Sequence, residues 1–329
     1  MLNIICEIAN GYYGSLSMSK EYINLASKTG ANAIKFQIAY AEEMLNRNDI
    51  IFPIIKKNEM SLNKWKKLRE YANNKKLKFY LDIDGMQALD LAKKIKPDAI
   101  KIHTTSFFDK RLLLESLKRF KKVYISISGI EEVEFSKLYK FLKKTKKLNK
   151  VIFLHGHQNA PTKINDINLS RITSLKEKFK NLNIGFMDHI SGSSKYKYSL
   201  SIFALGLGIK CFEKHLTKSK KLNLIDSISA IDPIEFKEYV KSLNDHYSSL
   251  GSKTIKLTKS EKIYRNSSLT VIYTKKIIKK NQIISYKDLT HKRPLKFSNN
   301  FFVDPDKILG RVANCDINID EPIKRTQIK

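Results

Sequence analysis

The chain has 329 residues, of which 42% are hydrophobic, and it carries a formal net charge of +30. This length and apolar content exclude a wholly disordered chain and allow about two domains, and no apolar run reaches the ~18 residues of a membrane-spanning helix. The opening MLNIICEIAN lacks the basic segment of a signal peptide, and Cys6, Cys211 and Cys315 form no CxxC pair. We therefore expect a cytoplasmic globular protein without membrane attachment.

Short β-rich runs alternate with amphipathic segments over the first 250 residues. Strands are predicted over 3–9, 31–37, 78–82, 98–102, 123–127, 151–155, 184–188 and 209–213. Helices follow them, among others over 17–29, 61–75 (after a longer loop), 86–95, 109–119 and 232–248. Eight such units with nearly apolar strands favour a (β/α)8 TIM barrel over an open sheet.

The pattern changes near residue 250. Residues 1–250 form the predicted barrel domain, and the polar, lysine-rich stretch 251–264 reads as a linker. Beyond it, residues 265–329 contain short strand-like runs separated by turn residues, which predict a small β-rich domain.

The positive charge is typical of proteins that bind nucleic acids, but only nine of the 62 basic residues are Arg. Arginine is the residue expected where bases or phosphates are read by paired hydrogen bonds, and the lysines are spread along the whole chain. We therefore expect no specific nucleic-acid partner, and we interpret most of the charge as a solvated surface.

Catalytic residues of a TIM barrel lie at the carboxyl ends of the strands. Polar residues at the predicted ends are Glu7, Asn10, Lys35, Gln37, Asp82, Lys101, Thr104, Ser128, His155, His157, Asp188, His189, Glu213 and His215. Lys35 and Lys101 each lie within an apolar strand, where an unpaired ammonium is costly. Such a lysine binds an anion, forms a Schiff base, or pairs with a carboxylate for structure alone.

Two histidines end neighbouring predicted strands, His189 the seventh and His215 the eighth. Two imidazoles at one height can hold a divalent ion together with waters, a substrate oxygen or a carboxylate such as Glu7 or Glu213. Nitrogen and oxygen ligands of this kind favour Mn²⁺ or Mg²⁺, while a structural or acid–base role for the pair stays open. His103, His246 and His291 lack this placement and are interpreted as ordinary.

A set of segments in chain order resembles the sialic acid (N-acetylneuraminate) synthase family. They are EIANGYYGS, GANAIKFQ, DAIKIHTT, LHGHQNAPTKINDINL, GFMDHISG, ALGLGIKCFEKHLT and IDSISAIDPIEF. The C-terminal KDLTHKRP and ILGRVANCDI resemble the antifreeze-like (SAF) domain of that family. The resemblance implies an enzyme that condenses phosphoenolpyruvate with an N-acetylated hexosamine to give a nine-carbon keto acid and phosphate.

The resemblance also implies roles for single residues. His189 and His215 would hold the metal ion, Lys35 and Lys101 would neutralise phosphoenolpyruvate, and Glu7 would serve the water or the sugar hydroxyls. The remaining expected substrate contacts are Gln37, Thr104, Ser128, Gln158, Asp226 and Arg293. Arg293 matches an arginine that a partner subunit lends to the sugar site, which implies a domain-swapped homodimer.

Several positions depart from the family pattern. Asp82 stands where a phosphoenolpyruvate-contacting Thr is expected, and it would repel phosphate unless a lysine pairs with it. Ser106 replaces an acidic residue, Ile127 and Met187 replace serines, and Gln158 replaces an Asn. Sialic, legionaminic and pseudaminic acid chemistry therefore all stay open. So do a related keto-sugar-acid synthase, a Schiff-base aldolase using Lys101, and a non-catalytic carbohydrate- or polyanion-binding homologue.

Overall fold

The computed structural model describes residues 1–222, 224 and 226–329, and within them eight parallel strands close into a barrel. The strands are β1 (Asn3–Glu7), β2 (Ala33–Ala39), β3 (Lys78–Asp84), β4 (Ala99–Ile102), β5 (Val123–Ser126), β6 (Val151–His155), β7 (Ile184–Asp188) and β8 (Cys211–His215). Each strand pairs with the next, and β8 pairs with β1, with Glu7 opposite His215. The predicted TIM barrel is confirmed.

Helices connect the strands on the outside of the barrel. They are α1 (Leu16–Ser27), α2 (Ala41–Met44), α3 (Phe52–Asn58), α4 (Leu62–Asn74), α5 (Met86–Ile95), α6 (Lys110–Arg119), α7 (Glu132–Lys144), α8 (Ser170–Lys178), α9 (Ser199–Gly206) and α10 (Pro233–Ser249). The start of α10 is fixed by Asp232, whose carboxylate accepts from the backbone N–H of Ile234 and Glu235. α2 and α3 lie in the segment that we predicted as a longer loop, and Pro53 at the start of α3 suits a first helical turn.

The first strand is shorter than predicted, because it ends at Glu7 rather than at residue 9. Ala9 has a left-handed backbone with φ 48°, which no strand continues. The Glu7 carboxylate accepts the Ala9 N–H at 2.7 Å and so stabilises this turn. The second strand lies two residues further along the chain than predicted, at Ala33–Ala39.

Two apolar layers surround the strands. Outward-facing side chains pack against the helices, and there Trp65 of α4 contacts Tyr12 and Phe36 with ring centroids 5.5 and 6.0 Å apart. The inward-facing layer consists of alternate strand residues, namely Ile5, Ala33, Tyr80, Ala99, Tyr124, Leu154, Met187 and Cys211. This inner layer fills the amino-terminal half of the barrel, so the polar residues that follow it along each strand gather at the carboxyl end.

Residues 252–329 form a second compact unit. Its helix α11 (Lys259–Ser268) begins inside the stretch that we predicted as a linker, and β9 (Val271–Thr274) pairs antiparallel with β10 (Leu289–Lys292). Its core is built of Ile272, Ile278, Ile284, Leu289, Phe302, Ile308, Ala313, Ile317 and Ile323. The predicted small β-rich domain is confirmed. Across the described part of both units, every helix is too short or too polar to span a membrane.

Candidate active site

A cavity of about 150 Å³ opens at the carboxyl ends of the strands. It is lined by Glu7, Ala9, Gln37, Asp82, Lys101, His103, Gln158, His189, Glu213, His215 and Asp226. Most of these residues were predicted from their strand-end positions, and the barrel brings them together around one space.

Five buried charged residues, here named the lysine–carboxylate cluster, lie at the bottom of the cavity: Lys35, Lys101, Glu7, Asp82 and Glu213. All of them except Lys35 line the cavity. Glu213 bridges the two lysines, with its Oε2 2.8 Å from Lys35 Nζ and its Oε1 2.9 Å from Lys101 Nζ. Asp82 Oδ2 lies 2.9 Å from Lys101 Nζ, and Glu7 pairs closely with Lys35. Two ammonium groups therefore face three carboxylates.

The electrostatics of this cluster follow from that imbalance. Burial works to lower the pKa of Lys101, but the carboxylates of Asp82 and Glu213 outweigh it and hold that pKa well above its usual value. Burial also works against ionisation of Glu213, yet the two lysines bring its pKa below its usual range. The excess carboxylate is Glu7, where burial raises the pKa to about 7 despite the nearby Lys35.

This shift predicts a pH-dependent contribution of Glu7 to stability. The folded chain keeps a proton on Glu7 between the ordinary pKa of 4.5 and about 7, whereas the unfolded chain loses it. The contribution is thus fully present below pH 4.5 and is lost as the pH rises through 7, by about 3 kcal/mol in free energy of unfolding. Urea unfolding of the wild type and Glu7→Gln from pH 4 to 8 isolates it, since all other groups titrate in both proteins. A difference that stays constant with pH would contradict the assignment.

His189 and His215 lie side by side, with ring centroids 4.9 Å apart and ring planes at 61°. Burial lowers the pKa of both histidines. The neighbouring His215 lowers the pKa of His189 further, whereas the carboxylate of Asp226 partly offsets the effect of burial on the pKa of His215. Both imidazoles are thereby neutral, the state that binds metal ions. Buried His189 Nδ1 has no hydrogen-bond partner among the described residues.

These two donors fit a divalent ion that takes its remaining ligands from water or substrate. Among the described residues, no group of three or more His, Cys, Asp or Glu is arranged to hold a metal. The pair therefore lacks the closed ligand set of a structural zinc site. The predicted metal remains a prediction.

A hydrogen-bonded network of neutral groups surrounds Gln158 and His103, the two of its members that line the cavity. Thr104 donates to Gln158 Oε1 at 2.6 Å and contacts Ser126 Oγ closely. Ser128 Oγ accepts the backbone N–H of Gln158 at 3.0 Å, and Gln158 Nε2 lies 3.2 Å from His103 Nε2. His103 thus belongs to the cavity, and the prediction that it is ordinary is wrong.

Two further predicted substrate contacts line the same cavity. Gln37 Oε1 accepts from Asn10 Nδ2 at 3.0 Å, and among the described residues no acceptor is bound by the amide N–H groups of Gln37, which can therefore donate to a ligand. Asp226 has a left-handed backbone with φ 62°, and its negative charge favours the protonated form of the nearby His215, which works to raise the pKa of that histidine. Arg293 lies in the second unit, directly after β10, and is exposed.

The departing positions have structural explanations. Asp82 is paired with Lys101, as its charge required. Ser106 is buried and donates to Asp84 Oδ1 at 2.6 Å. Met187 belongs to the inward-facing apolar layer, while Ile127 packs on the outward-facing one.

A second buried ion pair was missed by the sequence analysis. Lys214 Nζ lies 2.8 Å from Asp188 Oδ2, and both side chains are almost fully buried. These residues directly precede His215 and His189, so they face away from the cavity and join β7 to β8 behind the two histidines. The available signal was the pair of consecutive charged residues in FEKH, because successive side chains of a strand point to opposite faces.

Comparisons with known proteins agree with the fold. The model of the NeuB family matches residues 22–255, and that of the SAF domain matches residues 270–329. A pseudaminic acid synthase of Campylobacter jejuni is 29% identical over 344 residues, covering 99% of this chain and 96% of that protein. An N,N'-diacetyllegionaminic acid synthase of Campylobacter jejuni is 26% identical over 337 residues, covering 98% of both. The solved N-acetylneuraminic acid synthetase of Leptospira borgpetersenii has a TM-score of 0.73 at 27% identity, covering 81% of this chain and 92% of that one.

Proposed function

Because the chain belongs to the NeuB family, as its sequence resemblance predicted, we propose that it condenses phosphoenolpyruvate with the open-chain aldehyde of an N-acetylated hexosamine. In this reaction C3 of phosphoenolpyruvate bonds to the aldehyde carbon, water adds at C2, and phosphate leaves. The product is a nine-carbon keto acid of the sialic type. The observation that carries the proposal is one cavity lined by Lys101, His189 and His215, with the buried Lys35 joined to Lys101 through Glu213.

The lysines are the anion-binding groups of this proposal. Lys35 and Lys101 bind the carboxylate and phosphate of phosphoenolpyruvate as point charges. The raised pKa of Lys101 keeps its ammonium protonated at neutral pH. A protonated amine is not a nucleophile, which argues against a Schiff-base aldolase.

The other cavity residues handle protons and the sugar. Glu7, with a pKa of about 7, is suited to accept the proton of the attacking water or a sugar hydroxyl at neutral pH. Gln37, Asp226 and the network of Thr104, Ser128 and Gln158 orient the acceptor. His189 and His215 hold Mn²⁺ or Mg²⁺, and the chemistry that such an ion supplies is Lewis-acid polarisation of the aldehyde.

Asp82 opposes the binding of an anion in this scheme. Its Oδ2 forms an ion pair with Lys101 Nζ at 2.9 Å, and its buried Oδ1 has no hydrogen-bond partner among the described residues. We expect Asp82→Asn to lower the KM for phosphoenolpyruvate by about tenfold, which equals about 1.4 kcal/mol of removed repulsion. Steady-state kinetics measure this, with Asp84→Asn as control, because Asp84 lies on the same strand but contacts Thr105, Ser106 and His103 instead of a lysine. A higher KM in Asp82→Asn would assign Asp82 to holding Lys101 in place.

We further propose a domain-swapped homodimer in which Arg293 of one subunit completes the sugar site of the other. Its support is the match of Arg293 to the family arginine. Co-expression of Lys101→Met with Arg293→Gln leaves one intact site in each mixed dimer, so random pairing restores about a quarter of wild-type activity. Recovery no better than the sum of the two separate variants would reject the shared site.

The experiment that tests the proposed reaction is phosphate release from phosphoenolpyruvate with Mn²⁺ and a set of acceptors. N-acetylmannosamine and diacetamido-trideoxyhexoses represent the sialic, legionaminic and pseudaminic chemistries. Release that needs one of these acceptors supports the synthase and identifies its sugar. Ligand binding without release for every acceptor would favour the non-catalytic homologue, and trapping by borohydride would favour the aldolase.

A further inference from the structure

A second cavity, of about 530 Å³, lies at the amino-terminal end of the barrel, opposite the candidate active site. We name it the basal recess. Its wall is formed by Met1, Asn3, Lys121, Lys122, Asn149, Lys150, Ile152, Lys176, Leu182, Asn183, Ile184, Gly208, Lys210 and Cys211. These residues lie at or just before the starts of β1, β5, β6, β7 and β8, and on α8, so the recess is built entirely within residues 1–251.

Its charge is one-sided. Five lysines line the recess: Lys121, Lys122, Lys150, Lys176 and Lys210. No Asp or Glu lines it, and no carboxylate of the described residues lies within 4.0 Å of any of the five ammonium groups. Asp98, in a neighbouring recess that shares Lys121, is engaged with the backbone N–H of Phe79 at 2.9 Å. The lysines of the candidate active site, by contrast, are all paired.

Two of the five ammonium groups are fixed at the wall. Lys176 Nζ donates to the Leu207 carbonyl at 2.6 Å, and Lys150 Nζ donates to the Leu117 carbonyl at 3.0 Å. Burial lowers the pKa of Lys176, and no carboxylate offsets the cost. Gly208 permits the approach of this lysine, because a Cβ there would lie 3.1 Å from Lys176 Nζ. Ammonium groups held this way are pre-positioned for a ligand.

The lining also indicates the kind of ligand. Lysines act as compact point charges for phosphate, and the exposed amides of Asn149 and Asn183 add neutral donors. No aromatic residue lines the recess, so it offers no surface on which a nucleic-acid base could stack. The volume is that of a small-molecule site.

We propose that the basal recess binds a small molecule carrying two or more linked phosphate groups. The site is separate from the catalytic cavity and does not depend on the proposed reaction. Its five lysines are a part of the net positive charge that has no role in the proposed reaction.

The test is calorimetric titration of the full-length protein with inorganic tripolyphosphate at physiological salt. We expect Lys121→Gln with Lys210→Gln, both exposed in the recess, to weaken binding by about tenfold or more, since each removes a charge worth about 1 kcal/mol. Lys66→Gln with Lys67→Gln on α4 is the matched control, with the same change in net charge on exposed residues outside the recess. Lys122→Gln provides a second recess variant should the first not fold.

The outcomes separate a built site from general attraction. Binding that is weakened by the recess variants and unchanged in the control supports the proposal. Equal weakening by both pairs would show diffuse electrostatics and overturn it. Absence of binding below about 1 mM, a free energy of only about 4 kcal/mol, would overturn it as well, and so would binding that no recess variant alters.

Discussion

Replacing Lys101 with methionine is expected to lower the rate of phosphate release from phosphoenolpyruvate by about two to three orders of magnitude. Lys101 is the ammonium held between Asp82 and Glu213, 2.9 Å from each. Its removal deletes the charge that stabilises the leaving phosphate in the proposed reaction, and it also leaves the two carboxylates without their shared counter-ion. The measurement is kcat/KM for phosphoenolpyruvate at fixed metal and acceptor concentration.

Loss of folding must be separated from loss of chemistry in this variant, because breaking a buried ion pair costs about 3–5 kcal/mol of stability. Lys101→Met combined with Asp82→Asn removes one charge of each sign, so it should regain much of the thermal stability. Its activity should stay low, because the anion-binding ammonium is still missing. Activity restored together with stability would show that Lys101 is only structural.

Replacing His215 with alanine is expected to abolish Mn²⁺ binding at micromolar concentration and to lower metal-dependent activity by at least about a hundredfold. The physical reason is that two neutral imidazoles lie side by side. The Nδ1 atom of His189 has no hydrogen-bond partner among the described residues. One remaining imidazole is a weak ligand for this ion.

Titration of Mn²⁺ by electron paramagnetic resonance measures the binding directly, without reference to activity. His246→Ala is the matched control, since His246 lies on the exposed side of α10 and its imidazole contacts Ser242 there. Unchanged Mn²⁺ affinity in His215→Ala would remove the metal from the scheme.

Much of the fold was predictable, because each strand carries a local signal. The eight strands were found from alternating apolar runs, and the barrel followed from their number. The helices α2 and α3 were not found, because they are short and their stability comes from contacts beyond the segment. The early end of β1 depended on one hydrogen bond between Glu7 and the Ala9 N–H, a contact with no period in the sequence.

Single residues of the candidate site could be predicted from the sequence, but the contacts between their side chains could not. His189 and His215 stand at or just after strand ends, and Lys35 and Lys101 lie within strands on the inward-facing side, so position in the barrel brought these residues together. The bridging role of Glu213 depends on the closure of the barrel, which sets β8 across from β4. Such a contact spans 112 residues and leaves no local pattern.

The proposed condensation is tested most directly by following the carbon of phosphoenolpyruvate into product. The protein is incubated with uniformly ¹³C-labelled phosphoenolpyruvate, Mn²⁺ and each candidate N-acetylated hexosamine, and the products are weighed by mass spectrometry. We expect a nine-carbon acid that is heavier by the three labelled carbons and that forms in step with released phosphate. Label found only in pyruvate, or only in unreacted phosphoenolpyruvate, would contradict it.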